Sequence, residues 1–297
     1  MTINYCISKE SIEQINDFFM KEYDFKQWFF RLKTYDILLE NSNLEKFVND
    51  SNDEELKKEN LDRYRLALKS EVVFNFFHMA EALFSLMHAC RKSPVPWIEM
   101  KSTRSKTLCE YVNEEIVSGK ISEEDIRFLF YNGVIGEEAK KEIVVKSIQF
   151  IKEFLKRTGK IFLEYGEIYN EYKHGLRLVT AHSFISMTPE NVPNPKPFLH
   201  LEGDAHVFLT TKLVQKEGKN EIYQIQQNTV TFDYPLYLRL SIYAYRLINN
   251  LFNTRRQKEK LKPGELIEVG TFGSEDIKEI FKEDPNTKFK FSITYPG

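Results

Sequence analysis

Neither glycine nor proline occurs in the first 93 residues of this 297-residue chain. Tight turns that depend on those residues are excluded there, and long helices are favoured. Cysteine is scarce: Cys6, Cys90 and Cys109 are an odd number without CxxC spacing. That pattern argues against a disulfide framework or a zinc cage and fits a reducing compartment, so a cytoplasmic location is expected. Net charge is also lacking, because 42 basic residues face 44 acidic ones, leaving −2. No global field draws the molecule to nucleic acid or membrane, and any such affinity must be local. No window approaches 18 uninterrupted apolar residues, and the opening segment MTINYCISKESIEQ carries acid without an apolar core. Neither membrane spanning nor export is expected. Walker, GxGxxG, HExxH and GxSxG motifs are missing as well. Nucleotide hydrolysis, dinucleotide chemistry, zinc proteolysis and hydrolase chemistry on a nucleophile elbow thereby lose support.

What is present is aromatic and globular: 24 Phe, 15 Tyr, 42% apolar and 29% charged residues. At about 150 residues per domain, two domains are expected. Composition switches near residue 175, since from Gly175 onward there are seven Gly and eight Pro. The expected fold class is α+β, with an all-α helical bundle over 1–175 followed by an α+β domain over 176–297. Helices are predicted at 8–20, 22–40, 54–91, 104–118, 122–132 and 137–174. Ser122 to Asp125 supplies capping chemistry, Ser93-Pro94-Val95-Pro96 a stop, and His174-Gly175 a C-terminal cap. Beyond it the apolar period becomes two in LRLVTAHSFISM, HVFLTTKLVQ and IYQIQQNTVTFDY, predicting a small antiparallel sheet. The segment 188–198 is predicted as an extended loop, and Pro235 opens a long helix near 235–260. LIEVG, a short helix at SEDIKEIF and KFSITY complete the prediction.

Two polar stripes carry the functional reading. In EVVFNFFHMAEALFSLMH, Glu71, Asn75, His78, Glu81, Ser85 and His88 recur in steps of three or four and share one helix face. The stripe contains no Lys or Arg, although the chain is lysine-rich. It is either the exposed edge of a core helix or a buried row that needs partners. The candidate partner is FLEYGEIYNEYKHG, where Glu164, Glu167, Asn170 and His174 align beside Lys173. Facing each other, the rows would form a cleft in which Lys173 and His174 stabilise a phosphate and His78 or His174 acts as acid or base toward a ribose 2′-hydroxyl. His78, Glu81, Asn170, Lys173 and His174 are the catalytic candidates, with Glu71 and Asn75 as binding candidates. Asn170 and His174 also suit a purely capping role.

A helical bundle with a polar His/Asn site near a helix end resembles the HEPN superfamily over at most residues 54–175. The superfamily's Arg-x4-6-His signature is absent before His174, where the relevant positions are Glu167, Ile168 and Tyr169. A literal match at Arg177 to His182 falls beyond Gly175 in a predicted strand. The resemblance implies a metal-independent ribonuclease or an inactive RNA-binding relative of a prokaryotic defence or toxin system, dimeric through the bundle. No cofactor is expected. A carboxylate-bridged metal site on the same helices would call for Glu-x-x-His, whereas the chain has the reverse, His78-x-x-Glu81.

The segment NTRRQKEKLK holds five cations and one anion at a helix end. Arg255, Arg256 and Lys258 there either complement the helix dipole or track the phosphates of RNA or the acidic face of a protein partner. The alternative to an RNA enzyme is a non-catalytic interaction or regulatory protein whose stripes are structural.

Overall fold

A computed structural model describes residues 8–58, 60–131, 138–175, 177–187, 199–217, 220–260, 270–281 and 290–294. The fold is α+β: a helical N-terminal part is followed by an antiparallel sheet. The helices are α1 (Lys9–Glu22), α2 (Lys26–Leu39), α3 (Asn43–Asp50), α4 (Leu61–Lys92), α5 (Pro96–Ser102), α6 (Ser105–Tyr111), α7 (Glu123–Tyr131), α8 (Glu138–Glu164) and α9 (Gly166–Lys173). Strands β1 (Leu178–Met187), β2 (Leu199–Glu217) and β3 (Asn220–Thr231), helices α10 (Tyr234–Lys260) and α11 (Ser274–Ile280), and β4 (Lys290–Thr294) follow.

Local chemistry explains the ends. Ser8 accepts the Ser11 N–H at the start of α1, and Ser122 accepts the Asp125 N–H while Asp125 accepts the Ser122 N–H, a reciprocal cap for α7. Pro96 does more than stop a helix. It occupies the first turn of α5, where its missing N–H costs nothing. The predicted helix over 137–174 is broken at Tyr165, whose ψ of 15° leaves the helical range before α9 begins. His174 caps α9 and Gly175 takes φ 74°, the left-handed conformation expected there. The predicted helix over 104–118 is wound partly as a π-helical turn, Val112–Val117. The anticipated loop at 188–198 and residues 266–269 of the LIEVG segment lie outside the described residues.

The chain forms two compact units, each assembled from separate stretches that lie on both sides of residue 175. Unit 1 comprises Met1–Arg31, Phe76–Glu164 and Arg239–Lys282. Its core joins Phe76, Phe77, Phe84, Phe130, Phe154 and Phe252, all at most 1% exposed. Some of the buried polar groups inside it are paired. The Ser147 hydroxyl accepts the Phe272 N–H at 2.7 Å and meets the Tyr131 hydroxyl at 2.6 Å, while Thr254 donates to the carbonyls of Phe130 and Asn250. Gly159 on α8 gives the π-helical turn room: a Cβ there would stand 3.1 Å from Val117 and 3.2 Å from Val112. The 18-residue window of α4 with mean hydropathy 1.2 is long enough to cross a membrane, yet 78% of it is buried, as in a core helix.

Unit 2 comprises Leu32–Asn75, Tyr165–Leu238 and Glu283–Gly297. Its strands pair antiparallel in the order β1-β2-β3-β4, with Leu178 opposite Phe208, His206 opposite Val230 and Gln227 opposite Ile293. Alternation sends His206, Phe208, Asn228 and Val230 to one buried face, whereas Val179, Leu209, Tyr223, Ile225 and Ile293 on the opposite face stay exposed. A second cluster gathers Leu44, Val48 and Leu68 with Tyr35, Leu38 and Tyr64.

Candidate functional site

The predicted site residues divide between the units. His78, Glu81, Arg255, Arg256 and Lys258 belong to unit 1; Glu71, Asn75, Asn170, Lys173 and His174 belong to unit 2. None of the six residues of the first stripe is exposed: Asn75 and His88 are buried, and Glu71, His78, Glu81 and Ser85 are half-buried. That stripe is therefore not the solvent edge of its helix. In the second row, Glu164, Glu167, Asn170, Lys173 and His174 are all exposed.

In unit 2, α4 and α9 do touch, but through other groups. The Tyr172 hydroxyl donates to both carboxylate oxygens of Glu71 at 3.1 Å, and the Tyr172 ring stacks on Phe74 at 3.9 Å. Asn170, Lys173 and His174 stand in the last turn of α9. The His174 N–H bonds the Asn170 carbonyl, and the Lys173 ammonium lies 4.1 Å above the Tyr169 ring.

Two histidines that look isolated in the sequence have partners. His182 on β1 bonds Glu202 at 2.7 Å and Asp204 at 3.2 Å, and those bonds raise its pKa. Although burial pushes the Asp204 carboxyl up, hydrogen bonds from Lys69 and His182 more than offset this and hold it below the usual carboxylate range. His206, 4% exposed, meets the Ser70 hydroxyl at 2.7 Å, and burial lowers its pKa to about 4. Its Nδ1 has no hydrogen-bond partner among the described residues, so none of their carboxylates orients the pair as in a hydrolase triad.

Two clefts of unit 1 are lined by described residues. One, of about 410 Å3, is lined by His88, Arg91, Lys92, Tyr111, Glu114 and Glu115 beside the π-helical turn. Burial lowers the His88 pKa, assisted by Lys92, and pushes the Tyr111 hydroxyl up to about 12. The Nε2 of His88 is buried without a partner among the described residues, and Arg91 pairs with Asp125 and Glu115. His88-x-x-Arg91 is visible in the sequence as neighbours on one face, but the non-α turn that completes the cleft is not.

The other cleft, of about 200 Å3, is built from aromatic rings. Phe19 stacks on Trp97 at 4.9 Å, and Tyr23 lies parallel to Phe252 at 5.6 Å and tilted against Trp97 at 5.8 Å. Beside it is the end of α10, where the Arg256 guanidinium lies 6.0 Å from the Phe252 ring and that of Arg255 lies 5.4 Å from the Phe128 ring. Lys258 follows in the same helix, its side chain outside the described residues. Among the described residues no three His, Cys, Asp or Glu side chains converge as a metal site.

Comparisons with family models, with curated proteins and with solved structures return no match to this chain.

Proposed function

We propose that this chain is a HEPN-like RNA-binding protein whose phosphate contacts are made by the arginine-bearing end of α10. The observation that carries this reading is the placement of Arg256 against Phe252, a ring of the aromatic cleft, with its neighbour Arg255 over the Phe128 ring outside that cleft. Guanidinium groups serve the anionic backbone and rings serve the bases, which is the combination single-stranded nucleic acid requires. Anisotropy of a fluorescein-labelled single-stranded RNA is expected to show binding that weakens by about 10-fold or more in the Arg255→Ala/Arg256→Ala double variant. Unchanged affinity in that variant overturns the assignment.

A second activity, metal-independent RNA cleavage, draws support from Asn170, Lys173 and His174 standing exposed together on one helical turn. An amide, an ammonium and an imidazole can bind a phosphate and shuttle a proton. Incubation with RNA in EDTA is expected to give cleavage that falls by roughly 100-fold in His174→Ala. Equal rates, or no cleavage by the parent protein, remove this activity. Loss of both binding and cleavage would favour the non-catalytic protein-interaction role.

A further inference from the structure

The aromatic cleft of unit 1 has features that a plain core gap lacks. Its walls include Phe19, Tyr23, Trp28, Trp97, Met100 and Phe252. Phe19 is 37% exposed, and Tyr23, Trp28 and Trp97 are half-buried, so the rings are reachable from solvent. The indole Nε1–H of Trp97 is buried and has no hydrogen-bond acceptor among the described residues. An occupant that satisfies it must bring an acceptor of its own. Aromatic boxes commonly take organic cations, but here the guanidinium of Arg256 already lies against the Phe252 ring. A second cation is disfavoured, and a flat neutral ring attached to an anion is favoured.

We infer that this cleft receives one unstacked nucleobase of a single RNA strand, with the adjoining phosphates on Arg255 and Arg256; the inference rests on the RNA-binding reading above. A nucleobase supplies a planar face for the rings and acceptors in its plane for the Trp97 Nε1–H. The basic end of α10 then anchors the chain that carries the base.

The chain has two tryptophans, Trp28 and Trp97, and both line the cleft. Intrinsic fluorescence therefore reports directly on occupancy. An oligouridylate and a ribose-phosphate chain of equal length without bases are titrated into the protein. The oligouridylate is expected to quench the emission and to bind on the order of 10-fold tighter than the abasic chain, the scale of one stacked base. Phe19→Ala, chosen because that ring is already partly exposed, should lower oligouridylate affinity toward the abasic value while leaving abasic binding unchanged. Trp97→Phe removes the N–H together with part of the ring face and should weaken oligouridylate binding while leaving abasic binding unchanged. Equal affinity for the two chains, or emission that responds equally to both, overturns the base site and leaves RNA binding standing. Absence of binding by either chain overturns both.

Discussion

Alanine in place of Phe74 is expected to cost about 3–5 kcal/mol of folding stability, the range for removing a fully buried phenyl ring. Phe74 is 0% exposed and stands at a junction of unit 2, with one face against the Tyr172 ring at 3.9 Å and an edge arrangement with His206 at 5.1 Å. Truncation leaves a cavity at this junction and removes two ring contacts, each worth about 0.5–1.5 kcal/mol beyond burial. Tyr172 then loses the support that directs its hydroxyl at Glu71. Urea denaturation is the measurement, read as a lowered midpoint at unchanged slope. A loss below about 1 kcal/mol would mean that the site collapses around the gap and that the ring is not the keystone described.

The second large effect is a loss of stability on acidification. In the folded chain His206 titrates near 4, against an ordinary value of 6.5, because the ring is buried. Between those two values the unfolded chain binds more protons than the folded one, so stability falls as pH falls. The full difference corresponds to about 3 kcal/mol, present above the unfolded pKa and gone once pH has passed through the folded one. His88, also lowered by burial, acts in the same sense. His182 is raised, so its contribution is fully present below its unfolded pKa and is lost only as pH rises. Asp204 is held below 3.8 and contributes its loss at still lower pH. His206→Gln retains a partner for the Ser70 hydroxyl without titrating. Its urea midpoint should fall less steeply from about pH 6.5 to 4.5 than the parent's, the remaining slope being that of His88; parallel curves would show that His206 does not control the acid limb.

Much of the architecture was legible because helix and strand periods differ. The absence of Gly and Pro before residue 94 announced α1, α2 and α4, and the alternation in HVFLTTKLVQ announced β2. The break at Tyr165 is masked because FLEYGEIYN carries an unbroken helical apolar pattern, and Gly166 directly after it is the one local signal in the sequence. The π-helical turn was hidden for a similar reason: the space left by Gly159, on a distant helix, lets Val112 and Val117 pack closely. Pro96 reads equally as a stop or a first-turn residue, and packing selects the latter. At the candidate site, the polar stripe on α4 was visible, but the partner of Glu71 was placed among Asn170 and His174 instead of Tyr172. An aromatic residue within a polar row gives no signal that its hydroxyl is the contacting group. The aromatic cleft has no local signal in the sequence, because Phe19 and Tyr23 are far along the chain from Trp97 and Phe252.

RNA binding through Arg255 and Arg256 is tested most directly by the salt dependence of affinity. The logarithm of the association constant for single-stranded RNA is plotted against the logarithm of salt concentration for the parent and for Arg255→Ala/Arg256→Ala. Two phosphate contacts on a single strand account for about 1.4 of the slope. The account predicts a slope shallower by about that amount in the double variant. Identical slopes, or an affinity insensitive to salt in the parent, would contradict it.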